Sequence, residues 1–119
     1  MPRAGTPAVY ADLVSPSNEA IDRWNTAADV ADLAAIREVS NDLALLLTDF
    51  AAGIAAAAWP EDARTHAETL VAGLAREVDW YRTVASSTDD EATAVALEAP
   101  WSDDAVDAAA RLREVLDGA

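Results

Sequence analysis

Leu33, Ile36, Ser40, Leu43, Leu47, Phe50, Ile54 and Ala57 recur at alternating steps of three and four residues. That spacing holds all eight positions on one face of a helix through several turns. The stripe predicts a helix over about Val30 to Ala58, with Asp29 as its N-cap. At ~1.5 Å per residue this helix is on the order of 40 Å long. Trp59-Pro60 ends it, because proline cannot continue a helix without losing a hydrogen bond.

Similar faces lie on either side. Tyr10, Leu13, Val14, Ile21, Trp24 and Ala28 predict a first helix that starts near Pro7. Pro16 interrupts it, and because the apolar face stays in phase across the break, a kink is favoured over a new helix capped by Ser17. Ala63, Ala67, Leu70, Leu74, Val78, Tyr81 and Val84 predict a third helix opened by Pro60-Glu61-Asp62. Its two early carboxylates suit the positive end of the dipole, and the late Arg76 and Arg82 suit the negative end. Thr88 and Glu91 have capping-box spacing, predicting a short helix over Glu91 to Glu98 that Pro100 stops. Ala105, Ala109, Leu112 and Leu116 predict a last helix, capped by Ser102, stapled by Trp101 onto Val106 and stopped by Gly118.

These segments predict an all-α fold, an antiparallel four-helix bundle whose first helix kinks near Pro16 and which carries a short extra helix before the last. Residues 1–6 are expected to be a disordered lead-in and 7–119 a single domain. Composition agrees, since about a quarter of the 119 residues are alanine, the best helix former. The alanine-rich stretch of the second helix permits close approach of a neighbour, and an alanine face equally serves a homodimer.

Charge narrows the partners. The formal net charge is −14, and all eight basic residues are arginine. Nucleic-acid binding needs a basic face and is not expected, and anionic membrane surfaces would repel the chain. No wholly apolar run reaches the roughly 20 residues that span a bilayer, so direct membrane insertion is not expected. There is no cysteine, which excludes disulfides, thiolate metal sites and cysteine nucleophiles. Met1 to Thr6 lacks the apolar core of a signal peptide. The expected location is extracytoplasmic if a leader has been removed, and cytoplasmic if Met1 is the native start.

Candidate chemistry is sparse. Asp62 and the single histidine, His66, stand four residues apart and could share a metal. Two ligands make a poor site, however, and the pair reads better as helix-surface stabilisation. Asp89-Asp90-Glu91 lacks the ligand spacing and the glycine of a calcium loop; like Asp103-Asp104, it reads as helix-entry chemistry. Ser40, inside the stripe, is expected to bond a carbonyl one turn back. No triad, phosphate-binding glycine loop or cofactor motif is present, so neither catalysis nor a cofactor or metal is expected. The four tryptophans stand out in so small a chain. Trp24, Trp80 and Tyr81 are the candidate ligand or partner surface, because adjacent positions on a helix point about 100° apart and Trp80 and Tyr81 are both buried only if that helix is covered broadly.

The order of several landmarks resembles that of actinobacterial secreted or lipoprotein-type helical domains. The matching residues are Tyr10…Pro16-x-Asn18-x-Ala20, Trp59-Pro60, Leu70, Trp80-Tyr81 and Ala110-x-Leu112-Arg113-x-x-Leu116. The resemblance spans most of the chain and implies a helical bundle at the cell envelope with no catalytic residue. The expected function is a non-enzymatic binding domain for a protein or a small apolar ligand. The competing expectation is a cytosolic, antitoxin-like acidic regulator that masks a basic surface.

Overall fold

The computed structural model of the protein describes residues 4–101 and 103–118. It is all-helical, with five helices packed against one another: α1 (Pro7–Asp29), α2 (Leu33–Ala56), α3 (Glu61–Ala85), α4 (Asp90–Leu97) and α5 (Asp104–Gly118). The main interfaces join α2 to α3, α3 to α5 and α1 to α2, whereas α1 and α5 meet only lightly.

The predicted stripes of α2 and α3 form much of the core, whereas of the face predicted for α1 only Tyr10 is buried: Ser17, Ala20 and Ala27 are the other buried positions of that helix, and Ile21 is 36% exposed. Ile36, Ser40, Leu43, Leu47, Phe50 and Ile54 are all buried on α2, and the seven apolar positions predicted for α3 are all buried too. On α5, Ala108 is buried where Ala109 was expected, with Ala105, Leu112 and Leu116 as predicted. α2 is also the one described helix with the length and mean hydropathy, 1.3, of a bilayer-crossing segment. The expectation of no such segment counted only unbroken apolar runs, and Asp42 and Asp49 interrupt the run without lowering the mean below that of a span. In the fold this helix packs its buried face against α1 and α3.

Several helix ends differ from expectation. α1 runs unbroken through Pro16 as far as Asp29, so Asp29 is not the cap of α2. Asp32 is, its carboxylate accepting the Ala35 N–H at 3.1 Å. Between the helices Ala31 takes φ 53°, with its N–H on the Ala28 carbonyl and the Asp32 N–H on the Ala27 carbonyl. This is a left-handed C-terminal cap in which alanine stands where glycine is usual. Asp89, not Thr88, caps α4, accepting the Ala92 N–H at 2.7 Å. The predicted Ser102 cap lies outside the described residues.

The lead-in is partly fixed. Residues 1–3 lie outside the described residues, but Ala4 bridges Ala58, and Gly5 donates its N–H to the Ala58 carbonyl at 2.7 Å. Thr6 caps α1 by accepting the Val9 N–H. Gly5 is required there, because a Cβ would lie 2.3 Å from the Trp59 ring. Trp59 is itself buried, its indole N–H on the Ile54 carbonyl at 2.8 Å.

Gly73 sets the distance between α3 and α5. A Cβ there would fall 2.7 Å from the Ala105 nitrogen and 2.8 Å from its Cα, and backbone cannot swing aside as a side chain can. Gly73→Ala is therefore expected to cost about 1–3 kcal/mol through overpacking, even though alanine is the better helix former. The urea unfolding midpoint reads this, and a variant as stable as the parent would mean that the two helices do not approach so closely.

Candidate functional site

The α1–α2 turn, the C-terminal half of α3 and the segment from α4 to α5 meet at one end of the bundle. Ala27, Ile36 and Val84 form a small buried cluster there, with Leu33, Ala96 and Leu97 against it. α4 is pinned over this end by its polar side. Arg37 of α2 donates to Asp90 and to Thr93, each at 2.9 Å, and the buried Thr93 hydroxyl also donates to the Asp89 carbonyl. The Asp89-Asp90-Glu91 run thus supplies a cap and an ion-pair partner, as its helix-entry reading requires.

On this cluster lies a groove of about 530 Å³. Its wall is a set of four rings from three separate segments: Trp24 of α1, Trp80 and Tyr81 of α3, and Trp101 just before α5. Trp80 lies edge-on to Trp101 at 5.0 Å and to Tyr81 at 5.3 Å between centroids, and Tyr81 and Trp101 are 5.7 Å apart. Trp24 closes the set at 6.2 Å from Trp80 and 6.3 Å from Tyr81. These are favourable distances and tilts for aromatic pairs. The structure therefore brings Trp24, Trp80 and Tyr81 together and adds Trp101. The expected staple of Trp101 onto Val106 gives way to these ring contacts, and Val106 stays 54% exposed.

Hydrogen bonds hold the rings in place. The Trp24 indole N–H donates to Ser40 Oγ at 2.9 Å, so the buried serine of the α2 stripe is engaged by a neighbouring helix. The Trp80 N–H donates to the Ala99 carbonyl at 3.2 Å. With these donors engaged, the wall presents mainly ring faces and edges. The other lining residues include Ile21, Leu33, Ile36 and Leu97, and none carries a charge. Trp80 is half-buried and Trp101 is 41% exposed, so apolar surface remains open to solvent. A hollow of about 560 Å³ around Asn41, Asp79 and Arg82 is comparable in volume but contains no aromatic ring.

A different environment lies next to this wall. Glu77, one turn before Tyr81, is 9% exposed. Burial, reinforced by the charge of Asp103, pushes its pKa up to about 7. Burial also raises the Tyr81 phenol, and Glu77 adds to that rise. Across the thin α1–α5 side stands Ser17, 1% exposed, whose Oγ has no hydrogen-bond partner. Neither residue was expected to matter, yet both occupy in-phase positions on otherwise apolar faces, a signal the sequence does contain. Asp104 of the Asp103-Asp104 pair bonds Arg76. Among the described residues no three His, Asp or Glu side chains converge as a metal site, and Asp62 with His66 gains no third ligand.

The chain matches no family model, no curated protein and no solved structure.

Proposed function

We propose that this protein is a non-enzymatic binding domain that holds a small, uncharged apolar molecule in the aromatic groove. The observation that carries the reading is the convergence of four rings, from three segments distant in sequence, on one uncharged groove. Its volume lies within the ~300–1,000 Å³ usual for small-molecule sites, and such sites are mostly apolar with few polar groups. A surface this apolar costs solvation in the free protein, and a ligand that covers it recovers that cost. The net charge of −14 disfavours anionic ligands.

The test uses a neutral fluorescent probe, N-phenyl-1-naphthylamine, titrated into the intact protein. Saturable binding is expected, little changed by salt, with affinity reduced at least about tenfold by Trp80→Ala, as for a buried aromatic anchor. Non-saturating uptake, or equal affinity in Trp80→Ala, would refute the groove as the site.

The acidic surplus favours a second reading, a regulator that masks a basic partner. Its binding would weaken steeply as ionic strength rises, whereas apolar groove binding would not. The landmark resemblance supports placing the domain at an actinobacterial cell envelope. The intact mass and cell fraction of the native protein decide this: a lipid-modified, membrane-fraction species supports it, and a soluble chain beginning at Met1 or Pro2 contradicts it.

A further inference from the structure

Because α1 and α5 meet only lightly, a narrow cavity of about 150 Å³ remains between them, floored by α3. It shares Ile21 with the aromatic groove but none of the four rings, and is lined largely by apolar side chains, among them Leu47, Phe50 and Leu74. Tyr10, Asn18 and Arg113 also line it, and two buried polar groups break its apolar surface. One is the Ser17 hydroxyl, buried and without a partner. The other is the carboxyl of Glu77, a residue 9% exposed. No cation among the described residues pairs with Glu77: Arg76, its neighbour in the chain, is committed to Asp104. Arg113 sits with Tyr10, its guanidinium 3.5 Å from the phenol oxygen. Tyr10 lies two helical turns from Ser17, about 10 Å along α1.

We infer that this cavity is a binding site for a small alkylammonium ion, its charged head between Glu77 and Ser17 and its alkyl chain along the apolar walls. A carboxylate and a hydroxyl acceptor are the partners that an ammonium group with three N–H donors needs. Asp103 adds negative potential at Glu77, which rejects anions. One carboxylate and one hydroxyl are too few oxygens for calcium, which takes six to eight ligands. At pH 8 the Glu77 carboxylate, with its pKa near 7, is a buried charge awaiting a counter-ion.

The probe is n-butylammonium chloride, titrated into the intact protein at pH 8 by calorimetry, with n-butanol as the uncharged isostere. One-site saturation by butylammonium is expected, with butanol at least about tenfold weaker, as befits a ligand that leaves a buried polar site unpaired. Glu77→Gln keeps the side-chain shape and should weaken butylammonium at least tenfold, while Ser17→Ala should weaken it several-fold; thermal unfolding confirms that each variant is folded. Absence of saturation by the parent protein up to tens of millimolar would overturn the inference. Unchanged affinity in both folded variants would overturn it too. So would loss of binding in Trp80→Ala with none in Glu77→Gln, because the cation would then lie on the aromatic wall.

Discussion

Leu47→Ala is expected to lower the stability of the protein by about 2–5 kcal/mol, the range for truncating a buried leucine. Leu47 is 3% exposed and lies within the continuous core formed by α1, α2, α3 and α5. Its removal takes away the transfer free energy of three carbons and leaves a void that the surrounding rings and helices fill only in part. It also borders the α1–α5 cavity, so the void would join space that is already open. For a chain of this size the loss corresponds to a fall in Tm of about 10–20 °C. Leu45→Ala is the matched control. Leu45 is on the same helix two residues earlier, but it is 59% exposed, and its truncation should stay within about 0.5 kcal/mol. Equal melting temperatures for the two variants would mean that the stripe does not face the core.

The second large effect is a pH dependence carried by Glu77. Its ordinary pKa is near 4.5, and burial with the like charge of Asp103 raises it to about 7 in the fold. Between those values the native protein keeps a proton that the unfolded chain has lost. Stability from this group is therefore fully present below pH 4.5 and is lost as pH rises through 7. At 1.36 kcal/mol per pH unit, the loss is on the order of 3 kcal/mol by pH 8. The groups near Glu77 are Asp103 just before α5, Asp104 at its start, Arg76 and Tyr81 on α3, and the uncharged Ser17 and Asn18 on α1, while Arg113 of α5 lines the same cavity but sits on Tyr10. None of them supplies a cation to Glu77. Glu77→Gln removes the ionisation and keeps the shape. Urea unfolding of both proteins from pH 4 to pH 8 should show the variant gaining about 3 kcal/mol over the parent across that span. The other carboxylates titrate in both chains and cancel in the difference, so parallel profiles would contradict the burial of an unpaired Glu77.

Much of this arrangement is written into local spacing. The α2 and α3 stripes place most of the core residues of those two helices, because a period near 3.6 tells inside from outside without knowledge of the partner helix. Pro60 marks a helix boundary for an equally local reason. The end of α1 is less legible. Val30-Ala31-Asp32 offers no glycine, yet Ala31 takes a left-handed conformation because the α1–α2 packing requires the turn there. Asp29 and Asp32 are both competent caps by composition, and only tertiary placement chooses between them. Thr88 and Asp89 pose the same ambiguity.

The candidate site divides in the same way. Trp24, Trp80 and Tyr81 can be selected from the sequence because large aromatics stand at positions that only broad coverage can bury. Trp101 could not be assigned to them, since its contacts depend on how the chain returns from α4 to α5. Ser40 was expected to satisfy itself within its own helix, and its bond to Trp24 is a property of the α1–α2 interface. The α1–α5 cavity is legible only from the assembled bundle. Periodicity states which face a helix buries, not how tightly two buried faces meet.

The central claim is that the aromatic groove receives an apolar ligand, and the four tryptophans allow one measurement to test it. Each indole N–H gives its own proton signal, which single Trp→Phe variants assign. Three of these rings line the groove, while Trp59 is 7% exposed at the far side of the chain's packing, bonded to the Ile54 carbonyl and outside the groove. On titration with N-phenyl-1-naphthylamine, the signals of Trp24, Trp80 and Trp101 should move together along one saturation curve while that of Trp59 stays in place. A titration in which Trp59 moves as far as the other three, or in which the groove signals do not move while the probe binds, would contradict the account.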